Sequence, residues 1–224
     1  MTTMTNDQPA GLRVDARFGL DPQTEEEFRE QAWTWILAGS LDGDEFAEYH
    51  LDDQPEDYPL DEVTAAAAFE GLVAARREQQ AAWNVTDRTT PLDRAFAALA
   101  EIGVVARGNF TCCGTCGSAE IGDEIDDSRT WRGYVFFHEQ DTESLVETGS
   151  TYLNYGVFLS AYLTEAAWNA LSKERKDEVY ADHAVTLMRD EVIPILTAHG
   201  VPVNWDGDLN RRILLPDVQY IAWV

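Results

Sequence analysis

The chain has 224 residues, of which 45% are hydrophobic and 11% aromatic, with 41 acidic against 16 basic side chains and a formal charge of -25. That apolar content excludes a disordered chain. The negative charge argues against direct binding to nucleic acid or to anionic membranes, because both would repel it. No apolar run approaches the roughly 18 residues that a bilayer span requires.

Residues 1–22 read as a loose polar leader, open to disorder and lacking the basic start and apolar stretch of a signal peptide. A first helix is expected from Thr24, where Thr24 and Glu27 have capping-box spacing. Phe28, Ala32, Trp35 and Ile36 follow at helical spacing, and Gly39 is the expected stop. Residues 40–59 form an acidic connector. Asp42, Asp44 and Glu48 lack the rest of a twelve-residue calcium pattern, so a short helix within a solvated loop is expected there. An Ala-rich helix should run from Pro59 to about Trp83, burying Val63, Ala66, Ala67, Phe69 and Val73. A third helix starts at Pro91 with Thr90 as its cap. Leu92, Phe96, Leu99 and Ile102 line one side, and Gly103 supplies a left-handed end.

Beyond Gly103 the pattern changes. Residues 104–106 read as a short strand leading into Asn109-Phe-Thr-Cys-Cys-Gly-Thr-Cys-Gly117, and one or two helical turns are expected over 118–126. Residues 131–138 are too uniformly apolar for a one-sided strand and read as a central one, covered on both faces. A helix is expected over 141–147 and a further strand over 152–159. A long helical region spans about 165–199, ended by Gly200. Residues 201–205 and 212–215 read as a hairpin around Asp206-Gly-Asp-Leu, and the tail at 218–223 as an edge strand. The fold class is therefore α+β: a helical N-terminal third packed on a small mixed or antiparallel sheet, with a long helix near the C-terminus. The expected organisation is the leader 1–22, a helical region 23–102 and an α+β domain 103–224 carrying the cysteine loop.

All three cysteines lie in that loop, and two are adjacent. An odd number so arranged does not read as a secreted disulfide framework and fits a reducing cytoplasm. Four chemistries suit the loop. Cys113-Gly-Thr-Cys116 has the C-x-x-C spacing of a reversible disulfide, and it resembles the strand–loop–helix of thioredoxin-like proteins. Cys112, Cys113 and Cys116 with His138 offer soft donors for a metal, zinc suiting sulfur and imidazole together. Cys113 or Cys116 paired with His138 would make a nucleophile, with Glu139, Gln140 or Asp141 orienting the ring. The least eventful reading packs the sulfurs as small apolar filler in a turn allowed by Gly114 and Gly117.

Residues 109–117, the run Gly-Tyr-Val-Phe-Phe-His-Glu-Gln-Asp-Thr-Glu at 133–143, and Gly-Val-Pro-Val-Asn-Trp-Asp-Gly-Asp at 200–208 resemble an actinobacterial domain family of unknown function. The resemblance implies a cytoplasmic bacterial setting and carries over no reaction. The expected role is that of a binding or interaction protein, an inhibitor or immunity-type partner for a basic protein. The alternative is a metal-dependent or thiol-dependent enzyme centred on Cys112, Cys113, Cys116 and His138.

Overall fold

A computed structural model describes residues 4–224. The chain divides into two units, one of residues up to Arg88 together with Ile221–Val224 and the other of Thr89–Tyr220. The architecture is α+β.

The first unit is helical. Helix α1 (Pro22–Ala38) starts earlier than Thr24, because Asp21 accepts from the amides of Gln23 and Thr24 and Pro22 occupies the first turn. It stops at Gly39, whose φ is 95°. The acidic connector holds a ten-residue helix, α2 (Gly43–Asp52), capped by Asp42. Asp42 is thus spent on the backbone, and the inner face of α2 buries Phe46, Ala47 and His50. Helix α3 (Glu62–Ala81) is capped by a reciprocal Asp61/Thr64 box. Its buried stripe is Ala65, Ala68, Phe69, Leu72, Val73 and Arg76. Val63, expected inside, is instead 77% exposed. A run of alanines carries little phase information, and the aromatic cluster settles which face turns inward. Phe46 stacks on Phe69 at 4.5 Å, and Phe28 meets Phe46 edge-on at 5.4 Å. Residues of the leader take part as well: the Thr5 carbonyl and the Asn6 side chain accept from Arg76, and the Asn6 carbonyl accepts from Trp33 Nε1.

The second unit begins with helix α4 (Pro91–Glu101), started by Thr90 and Pro91 and followed by Gly103 at φ 79°. Four strands form one sheet in the order β1 (Val104–Arg107), β2 (Gly133–Phe136), β3 (Thr151–Val157), β4 (Ile213–Leu215). The β1–β2 pair is parallel and the other two are antiparallel, so the sheet is mixed. As its composition implied, β2 is central and buried on both faces. On one face Val135 joins Val104, Ala106, Leu153 and Ile213 beneath residues of α4, α8 (Lys173–Leu187) and α9 (Ile193–Ala198). On the other, Phe136 joins Val105 and Ile121. Between β1 and β2 lies the short helix α5 (Gly114–Glu120), and between β2 and β3 lies α6 (Glu139–Thr148).

The long helical region is broken into α7 (Glu165–Asn169), α8, a π-helical turn (Met188–Val192) and α9. Ser172 caps α8 afresh. The π turn ends two residues before Pro194, whose missing N–H and bulky ring a regular helix would not accept. The expected hairpin shrinks to a single bridge between Asn204 and Leu214. The tail forms no edge strand: Val218 N donates to the Gly149 carbonyl, and Ile221–Val224 group with the first unit.

Candidate functional site

Strand β1 delivers the chain into the cysteine loop under tight steric control. At Gly108 a Cβ would stand 2.6 Å from the Phe137 ring, so no other residue fits without displacement. Asn109 and Thr111 both lie in the left-handed region, at φ 52° and 60°. That conformation is unusual for a β-branched residue and costs about 1–3 kcal/mol where it persists. Backbone bonds to the segment after β2 hold it there: Phe110 N donates to the Phe137 carbonyl at 3.0 Å, and Glu139 N to the Thr111 carbonyl at 3.0 Å. The two reversals turn the chain so that adjacent cysteines face one place.

Cys113 is the extended N-cap of α5 (φ −155°, ψ 169°). Its carbonyl accepts from Gly117 N at 3.0 Å and from Thr111 Oγ1 at 3.2 Å. Neither Gly114 nor Gly117 has a positive φ, so neither serves the turn that the sequence implied for them. Gly117 is needed for close packing, since a Cβ there would fall 2.3 Å from Phe136 Cε2.

The three sulfurs lie within 4.8 Å of one another, and Cys112 Sγ stands 3.5 Å from Cys116 Sγ. All three are free thiols; Cys112 is exposed and the others half-buried. None belongs to the core, which overturns the expectation of apolar filler. The backbone N–H of Cys116, then its thiol and the N–H of Thr115, lower the Cys113 pKa, although no amide closes a full capping hydrogen bond to the sulfur. Hydrogen bonding with the Cys112 and Cys113 sulfurs pushes Cys116 up to about 12. Among the described residues, no other group of three or more His, Cys, Asp or Glu side chains converges in this way.

His138 is buried beside the loop as the N-cap of α6. A Cβ at Gly114 would come 3.6 Å from His138 Cδ2 and 3.4 Å from Asn154 Oδ1. Asp141 engages both ring nitrogens, and Arg212 Nη1 also stands 3.5 Å from Nε2. Nδ1 accepts from Asp141 N at 3.3 Å, and Nε2 lies 2.9 Å from Asp141 Oδ2. Arg212 Nη1 donates to both Asp141 oxygens at 2.9 and 2.8 Å, and its guanidinium stacks over Tyr152 at 4.9 Å. Burial pushes the His138 pKa down, Asp141 raises it and Arg212 lowers it again. Those contacts assign the proton to Nε2 and leave neither nitrogen open to a sulfur or an ion.

The cysteines named from the sequence thus come together, while His138 forms part of the neighbouring wall. Asp141, one of the three residues weighed for the role, does orient the imidazole. Arg212 and Asn154 were missed. Asn154 left a faint signal, an amide within an otherwise β-forming run, whereas Arg212 is one of two adjacent arginines and left none.

The family model described as Domain of unknown function (DUF6891) matches residues 21–223. No curated protein and no solved structure matches the chain.

Proposed function

Since the chain belongs to the DUF6891 family, for which no function is known, its role has to come from its own side chains, and we propose that it binds a thiophilic metal ion, zinc first, through Cys112, Cys113 and Cys116. The observation that carries this reading is the convergence of the three sulfurs. Zinc–sulfur bonds of about 2.3 Å in a tetrahedron set sulfur–sulfur edges of about 3.8 Å. The 3.5 Å separation of Cys112 and Cys116 is close to such an edge. Backbone strain at Thr111 agrees with a loop shaped for a purpose other than its own stability. Three thiolates leave a fourth position, and the exposure of Cys112 brings solvent to the rim of the site. An exchangeable fourth ligand characterises catalytic rather than structural zinc. His138, held by Asp141, supports the loop without joining the ligands.

The test is metal analysis of protein purified without chelator, followed by cobalt substitution. The expected result is about one zinc per chain and a thiolate-to-cobalt charge-transfer band, with each Cys→Ser variant losing more than about a hundredfold in affinity, beyond what outer-shell changes cost. Metal-free protein that gives no cobalt band would refute the reading.

A second reading, an inhibitor or immunity-type protein for a basic partner, draws on the first unit. Asp42, Asp44, Glu45, Glu48 and Glu62 line a recess of about 550 Å³ with exposed Val63. Capture from the native cell should recover a basic protein at low salt and lose it as ions screen the attraction. A capture that yields no basic protein at low salt counts against it. Both readings set the chain in a reducing bacterial cytoplasm, where its thiols stay free.

A further inference from the structure

We propose that Cys112 and Cys116, rather than the C-x-x-C pair Cys113 and Cys116, form a peroxide-sensitive dithiol whose closure to a disulfide discharges the metal. The release step rests on the metal-binding reading above; the pairing itself does not.

The pairing follows from geometry. The Cys112 and Cys116 sulfurs are already in contact at 3.5 Å, and a disulfide requires about 2.05 Å. Cys112 precedes the capping residue and is the exposed member, so it meets a peroxide first and its side chain has room to turn. Cys113 is the cap itself, and its carbonyl is held by Gly117 N and Thr111 Oγ1. On this reading the exposed Cys112, already 3.5 Å from Cys116, and not the C-x-x-C residue Cys113, is the partner of Cys116.

In the metal-free chain the peroxide O–O bond breaks as one oxygen passes to Cys112 Sγ, giving a sulfenic acid and water. Cys116 Sγ then attacks that sulfur, the S–S bond forms, and the S–O bond breaks, with the oxygen leaving as a second water that carries the thiol proton. Sulfur is oxidised by two electrons and the peroxide is reduced by two. In the metal-loaded chain two thiolates take the place of the thiols, and two protons come from solvent. Cys113 then remains as the sole sulfur ligand, and one thiolate does not retain the ion. A dithiol reductant reverses the closure.

The test uses the full chain. Metal-free protein is treated with hydrogen peroxide at about one equivalent, matching the two-electron chemistry. Remaining thiols are alkylated, and the loop is sequenced by fragmentation mass spectrometry. The expected product links Cys112 to Cys116 and leaves Cys113 alkylated. Cys113→Ser should close as the parent does, and Cys112→Ser should form no internal disulfide. A Cys113–Cys116 link, or closure by Cys112→Ser at the parent rate, overturns the pairing. In a second arm, zinc-loaded protein is oxidised in the presence of a chromophoric chelator, and zinc should appear in step with the disulfide. Zinc retained while the Cys112–Cys116 bond forms overturns the release. A chain that never takes up zinc overturns the metal-binding reading and the release with it, while the pairing is still decided by the first arm.

Discussion

Arg76 carries a guanidinium into the interior of the helical unit, with no exposed surface. It lies over Trp33 and Trp83 at 5.8 and 4.9 Å and donates to Thr5, Asn6 and Gln79. Burial alone pulls its pKa down to about 10, so it remains a cation at neutral pH. His50 is buried in the same unit, edge-on to Phe28 and hydrogen-bonded through Nε2 to the Tyr58 hydroxyl at 2.8 Å. Here burial lowers the pKa from 6.5. The unfolded chain therefore binds this proton first as pH falls, and stability rises with pH across the interval. The His50 contribution is fully present above about pH 6.5, is lost as pH falls toward the lower folded value, and is constant below it. Urea midpoints should decline as pH drops from neutrality into that window, and His50→Gln should flatten the decline. An unchanged slope in that variant would rule His50 out as its source.

Among the elements, α5 shows how packing governs the cysteines. Gly117 brings the helix onto Phe136, leaving no room for a methyl group. Gly117→Ala should therefore cost about 1–3 kcal/mol through overpacking, and it should weaken metal uptake because Cys116 is the preceding residue. Gly122→Ala is the matched control. Its Cβ would meet nothing within 4 Å, and the change should stay within about 0.5 kcal/mol. Chemical denaturation of the two variants checks both values, and equal stabilities would remove the packing account. Helix α3 teaches the complementary lesson. Its start at Asp61 and Thr64 is set by neighbours in sequence, but its rotation is set by Phe69 stacking on Phe46 of α2. Alanines buried on one side and exposed on the other look identical before the helices meet. The broken helix at 165–198 lies between these cases. Ser172 and Pro194 were visible as residues, yet their effect on a long apolar pattern required the sheet against which α8 and α9 pack.

For the molecule as a whole, the charge of -25 and the three clustered thiols are written in the sequence itself, and they underlie both functional readings. The α+β class, the central place of β2 and the helix at Pro91 were also legible. Each depends on short-range rules: a cap and a proline start a helix, a glycine ends it, and an uninterrupted apolar run asks for cover on both faces. The three sulfurs were legible as a candidate set, but the backbone turn that brings them together was not. It needs Asn109 and Thr111 in left-handed conformations imposed by bonds to residues 137 and 139. The clamp on His138 was hidden too, because Arg212 reaches Asp141 across 71 positions. Caps, turns and apolar runs can be read from a chain because their partners are a few residues away. The turn of the cysteine loop, the rotation of α3 and the pairing of Arg212 had to await folding, because each is fixed by partners well separated in sequence: residues 137 and 139 for the loop, Phe46 for α3 and Asp141 for Arg212.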